Sequence, residues 1–132
     1  MAEKKGYVAT SKFLIASPTK VRPVAHVINQ KSYTEAMAIL ANMPQKGATL
    51  ISATLKSAAA NALNQNSKLD EDMLYVKEIR VDEGPRLKRV WFRARGRADQ
   101  LLKRMCRITV IVDVGGGIKW DRKLILLVCA LA

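Results

Sequence analysis

The sequence predicts an α+β domain with an antiparallel sheet, and three observations carry that prediction. Apolar residues in the first half recur at helical spacing, punctuated by helix starts and stops. Two later segments, residues 74–85 and 105–113, have strand character. Between them lies GPRLKRVWFRARGRADQLLKRMCR, residues 84–107, with nine Lys and Arg, two large aromatics and one acid, Asp99. Helices followed by strands, without alternation, favour α+β over a parallel α/β sheet.

A chain of 132 residues is one ordinary domain with a single core. Its 23 Lys and Arg against 11 Asp and Glu give a net charge of +12. Such a field attracts polyanions, and concentrating the charge in one segment favours a nucleic-acid partner over mere solubility. Cys106 and Cys129 form no CxxC pair and no zinc spacing, so both read as reduced thiols. The start lacks the apolar stretch of a signal peptide. The longest apolar run, LILLVCALA, has nine residues, and a spanning helix needs roughly 20. The expected compartment is the cytoplasm, with no membrane partner.

The elements follow in order. Ser17-Pro18 reads as an N-cap with Pro in the first helical turn, followed by Val21, Val24, Ala25 and Ile28 as the buried stripe. Pro23 predicts a kink or a late start, and Lys20 and Arg22 face outward. Ser32-Tyr33-Thr34-Glu35 is a capping box for a second helix that buries Ala36, Ile39 and Leu40 and stops at Met43-Pro44. A third helix is expected over about 44–63, with Ala48, Ile51, Leu55, Ala58 and Ala62 as its stripe.

NQNSKLDED reads as a polar loop, in which Asp70, Glu71 and Asp72 are solvated and form no metal or catalytic site. Lone His26 has no nucleophile or base beside it, so it reads as packed or surface-facing. In residues 74–85 the apolar parity changes between Val76 and Ile79, which predicts a bulge. In residues 105–113, Cys106, Ile108, Val110 and Val112 alternate against Met105, Arg107, Thr109 and Ile111, as in a strand with one buried face.

The basic segment reads as a hairpin with its turn near 93–96. Two arms of about ten residues reach about 30 Å beyond the body. A free two-stranded hairpin is marginal in water. Repulsion among Lys88, Arg89, Arg93, Arg95, Arg97, Lys103 and Arg104 weakens it further. It should order against a negative surface such as RNA, where arginines pair with phosphates and Trp91 and Phe92 stack on bases. Gly96 permits a positive φ in the turn.

Several spaced blocks then resemble one family, the bacterial large-ribosomal-subunit protein twenty-two family, over about residues 17–113. They are SPTKVRPVA, Lys31, Glu35-Ala36, Ile39-Leu40, Pro44, KSAAANA, LYVKEIRVDEGP, PRLKRVWFRARGRADQLLKR and ITVIV, in that order. The resemblance implies three helices packed on a small three-stranded antiparallel sheet with a long protruding β-hairpin, residues 7–13 supplying the third strand. It implies a non-enzymatic structural constituent of the large subunit that binds 23S-type rRNA, supports assembly and lines the polypeptide exit tunnel with its hairpin tip. No cofactor or metal is implied.

The expected partners are large-subunit rRNA, neighbouring ribosomal proteins, and the nascent polypeptide and macrolide-type ligands near the tip. The expected RNA-binding residues are Lys20, Arg22, Lys31, Arg86, Lys88, Arg89, Arg93, Arg95, Arg97, Lys103, Arg104 and Arg107. The expected tip is Val90, Trp91, Phe92, Arg93, Ala94, Arg95, Gly96 and Arg97. Residues 1–113 would be one ribosomal-protein domain with its hairpin at about 84–105. Residues 114–132 read as a Gly-rich break and apolar extension outside the family pattern. Within the pattern there are three departures: Phe92 replaces a usual Pro, the pair Asn29-Gln30 replaces Arg-Gly, and Arg107 replaces His.

Overall fold

The computed structural model describes residues 6–67 and 69–114. The chain forms strand β1 (Tyr7–Leu14), helices α1 (Pro18–Ile28), α2 (Tyr33–Asn42) and α3 (Lys46–Gln65), then strands β2 (Leu74–Phe92) and β3 (Ala98–Val114). Single 3-10 turns stand at Glu71–Met73 and Ala94–Gly96. The sheet order is β1-β3-β2, antiparallel throughout. The strand implied over residues 7–13 is thus an edge strand, hydrogen-bonded to the last strand of the sheet.

Pro18 opens α1, where its missing N–H costs nothing. Pro23 neither delays the helix nor lies buried; it is exposed inside it, and the forfeited bond is the one to the Thr19 carbonyl. Ser32 caps α2, its Oγ accepting from the Glu35 N–H at 3.3 Å. α3 starts at Lys46, two residues beyond Pro44, and buries Ala48, Ile51, Leu55, Ala58 and Ala62, the predicted stripe. Small side chains let α3 lie close to β1 and β3. Buried Thr54 is satisfied there, its Oγ1 lying 2.9 Å from the Leu50 carbonyl and 3.0 Å from Ser11 Oγ. At the far end of the same contact, Asn66 donates to the Tyr7 hydroxyl.

Ile28, Leu55, Leu74, Val76, Ile108, Val110 and Val112 form the centre of the core between helices and sheet. The alternation of β3 is less one-sided than the sequence predicts. Thr109 and Ile111, on the face away from the helices, are also buried. β3 is the middle strand, with a neighbour on each side. Thr10 Oγ1 lies 3.3 Å from Thr109 Oγ1. Gly6 comes so close that a Cβ on it would stand 2.8 Å from Ile111 Cγ2.

The predicted bulge in β2 is present: the register shifts between Val76 and Glu78, leaving Lys77 over. Lys77 Nζ is 2.6 Å from Asp113 Oδ2, and that hydrogen bond raises the ammonium pKa above the ordinary lysine value. The α1–α2 loop docks at this point. Gln30 N–H donates to the Val76 carbonyl at 2.9 Å, and Val76 N–H donates to the Lys31 carbonyl at 2.8 Å. Gln30 itself takes a φ of 63°, a left-handed position usually given to Gly. A second register shift, between Glu83 and Arg86, has no counterpart in the sequence reading. The Gly-rich break and apolar extension lie outside the described residues, apart from Val114, which ends β3. Among the described residues no helix is long and apolar enough to cross a membrane.

Candidate nucleic-acid interface

β2 and β3 continue past the body as a paired finger. The register runs from Arg86↔Arg104 through Lys88↔Leu102, Val90↔Gln100 and Trp91↔Asp99 to Phe92↔Ala98. Opposed residues share a face, and successive residues alternate. One face therefore carries Arg86, Arg104, Lys88, Leu102, Val90, Gln100, Phe92 and Ala98. The other carries Leu87, Lys103, Arg89, Leu101, Trp91 and Asp99. Cations crowd the half nearer the body, while on the first face Val90, Phe92, Gln100 and Ala98 leave the outer half uncharged. The alternation thus sets the finger's two faces apart chemically.

The turn spans Arg93 to Arg97, one residue longer than expected, and closes with Arg93 N–H donating to the Arg97 carbonyl at 2.8 Å. Two consecutive residues are left-handed, Arg95 at φ 59° and Gly96 at φ 70°. The sequence reading reserved that geometry for Gly96 alone. Arg93 Nε lies 2.5 Å from Asp99 Oδ2, so the one acid of the finger holds a tip arginine. Trp91, Phe92, Arg93, Ala94, Arg95 and Arg97 surround an open hollow of about 640 Å³. Every residue from Pro85 to Arg104 is exposed, Phe92 at 82% and Trp91 at 59%. Such exposure of large aromatics marks a surface built for contact.

At the base, Gly84 and Pro85 fall in the second register shift. A Cβ on Gly84 would stand 3.2 Å from Met105 backbone atoms, so the close approach of the arms depends on this glycine. Arg86 Nη2 is 2.6 Å from Glu83 Oε2. That bond, reinforced by the charges of Arg86, Arg104 and Arg22, holds the Glu83 carboxyl below the ordinary glutamate range. Glu83 is thus a site residue the sequence reading missed; its signal was an acid three residues before Arg86.

Four of the expected contacts lie on the body. Arg22 braces α1 to β2, its Nε donating to the Val81 carbonyl at 3.3 Å, beside a cleft of about 190 Å³ with His26, Asn29 and Ile79. His26 is exposed at the rim of that cleft. Lys20 is exposed on α1, Lys31 is half-buried in the docked loop, and Arg107 is exposed on β3 opposite Asp82. Of these four, Arg22 joins the base of the finger, its charge acting on Glu83 together with those of Arg86 and Arg104. Among the described residues no cluster of His, Cys, Asp and Glu is arranged to hold a metal ion.

The model of the family described as ribosomal protein L22p/L17e matches residues 9–113, the body and both arms of the finger together. The chain belongs to that family. The large ribosomal subunit protein uL22 of Treponema denticola is 72% identical over 117 residues, covering 89% of this chain and 99% of that protein. The protein of the same name from Treponema pallidum is 58% identical over 113 residues, covering 86% and 91%. That of Borreliella afzelii is 50% identical over 119 residues, covering 90% and 99%. Membership of the ribosomal L22p/L17e family agrees with a finger that carries cations and exposed aromatics and buries neither.

Proposed function

We propose that the protein is a structural, non-enzymatic constituent of the large ribosomal subunit in the cytoplasm. In this reading it binds 23S-type rRNA, supports subunit assembly, contacts neighbouring ribosomal proteins and lines the polypeptide exit tunnel with its hairpin tip. The observation that carries the reading is the finger: a strand ladder continuous with the body, dense in cations and covered by nothing of its own.

Lys88, Arg89, Lys103 and Arg104 take phosphates along the arms, with Arg86 at the base. Arg93, Arg95 and Arg97 do so around the turn. Lys20, Arg22, Lys31 and Arg107 extend the contact from the body. Val90, Trp91 and Phe92, with the turn from Arg93 to Arg97, meet the tunnel wall, the nascent chain and macrolide-type ligands. Residues 1–113 act as the ribosomal domain, and residues 114–132 are an appended extension.

Salt dependence tests the electrostatic part. Neutralising about seven phosphates, one for each arm and turn cation (Lys88, Arg89, Arg93, Arg95, Arg97, Lys103 and Arg104), gives a log–log slope near −5 for the finger's share of rRNA binding by the single-strand coefficient. A slope near zero, or failure to co-sediment with large subunits, overturns the reading.

A further inference from the structure

A second apolar feature stands on the body, away from the finger. Between Ser11↔Ile108 and Leu14↔Cys106, β1 has two residues, Lys12 and Phe13, where β3 has only Arg107. Phe13 sits in this bulge at a φ of 58°. A left-handed bulge residue is ordinarily Gly, because a Cβ clashes there and a bulky side chain makes it a true outlier. Phe13 gains no burial in return, since it is 62% exposed. Immediately beyond, Ala16 N–H donates to the Leu14 carbonyl at 2.9 Å, a tight turn with Ile15 at its apex. Ile15 is 61% exposed, while Leu14 between the two packs on the core. Strained backbone that presents apolar side chains to water is the mark of a contact site.

The surroundings say what the contact is. Lys12 is the other bulge residue, and Arg107 faces the bulge from β3, with Asp82 opposite it on β2. Lys46 Nζ donates to the Ile15 carbonyl at 3.0 Å. Lys46 and Lys20 line one hollow of about 640 Å³ with Ala16, Ser17 and Pro23. An apolar protein partner would have to desolvate these ammonium groups without pairing them. A nucleotide strand offers both halves of the match, a π-face for Phe13 and phosphates for the lysines.

We infer that Phe13 is a stacking platform for an unpaired rRNA base, with Lys12, Lys20 and Lys46 holding the adjoining phosphates. This rests on the reading of the protein as an rRNA binder and adds to it a site independent of the finger.

The test compares the full chain with Phe13→Gly and Phe13→Leu for binding to large-subunit rRNA across a salt series. Glycine accepts the positive φ, so Phe13→Gly keeps the fold and its thermal midpoint does not fall. Loss of one stacked base lowers affinity about five- to one-hundred-fold in both variants. The salt slope stays at the wild-type value, because no phosphate contact is removed. Photocrosslinking of the wild type places Phe13 on a single-stranded nucleotide. Variants that bind as the wild type does overturn the site while leaving the rRNA reading intact, and would assign the patch to a protein neighbour. A wild-type chain that does not bind rRNA removes both.

Discussion

β2 and β3 run through both the body and the finger, and the contrast between the two regions is instructive. In the body, β2 and β3 bury Leu74, Val76, Val81, Cys106, Ile108, Val110 and Val112 under three helices. From Pro85 to Arg104 the same ladder runs on with every residue exposed. Backbone pairing continues without a break in chain direction, so hydrogen bonding does not distinguish the two regions. Apolar coverage does. The net worth of a backbone hydrogen bond is small, and a ribbon with two wet faces has little else to hold it. The body is stable on its own account, whereas the finger's stability belongs to whatever covers it.

The largest expected effect that can break this contrast is in the core. Ile108→Ala should destabilise the isolated protein by about 2–5 kcal/mol, through lost burial and the cavity left behind. Trp91→Ala, equally drastic in size, should stay within about 0.5 kcal/mol in denaturant melts of the free protein, while weakening rRNA binding. If the two substitutions cost the same, the finger has a core of its own and the contrast fails.

The junction should respond next. Gly84→Ala forces a Cβ against Met105 backbone and should cost about 1–3 kcal/mol by overpacking. Amide exchange should quicken first in the finger arms, because they hang from that crossing. Undisturbed protection there would show that the arms do not depend on the junction.

A smaller effect of opposite sign is expected in the body. Gln30→Gly relieves a left-handed residue at the end of α1 and should raise stability by about 0.5–1 kcal/mol, the gain being trimmed by a freer unfolded chain. A loss instead would mean that the Gln30 side chain matters more than its backbone.

The smallest effect is electrostatic. Glu83 has a lowered pKa, so its contribution is present above the unfolded-state value and is lost as pH falls through the folded one. Carboxyl titration by NMR should place its midpoint below that of an ordinary glutamate. Arg86→Gln should return it upward, with little change in melting because the pair is exposed.

Much of the body was legible because burial writes a period into the sequence. The α3 stripe, the α1 stripe and the phase change at Lys77 were all read from spacing. Pro23 left a kink or a late start open, and the late start is absent: α1 begins at Pro18 although the proline forfeits a bond and crowds the Thr19 carbonyl. The burial of Thr109 and Ile111 on the face away from the helices was hidden, since it depends on β3 being the middle strand, a matter of long-range order. The finger was visible as charge, yet the pairing of Arg93 with Asp99 and the left-handed Arg95 were not, since both follow from the shape of the turn. Phe13 gave no signal whatever: a phenylalanine in an edge strand looks the same whether its φ is −120° or +58°.

By itself, the sequence determined the segments, the buried stripes and the place where positive charge accumulates. Each is a property of neighbours along the chain, where side-chain period and composition act directly. Only the tertiary structure decided that β3 lies between β1 and β2, that Gly84 meets Met105, and that Lys46 reaches the Ile15 carbonyl beyond the bulge that holds Phe13. Those are meetings of residues far apart in the chain, fixed by the packing of helices on sheet and by register, which no local pattern encodes.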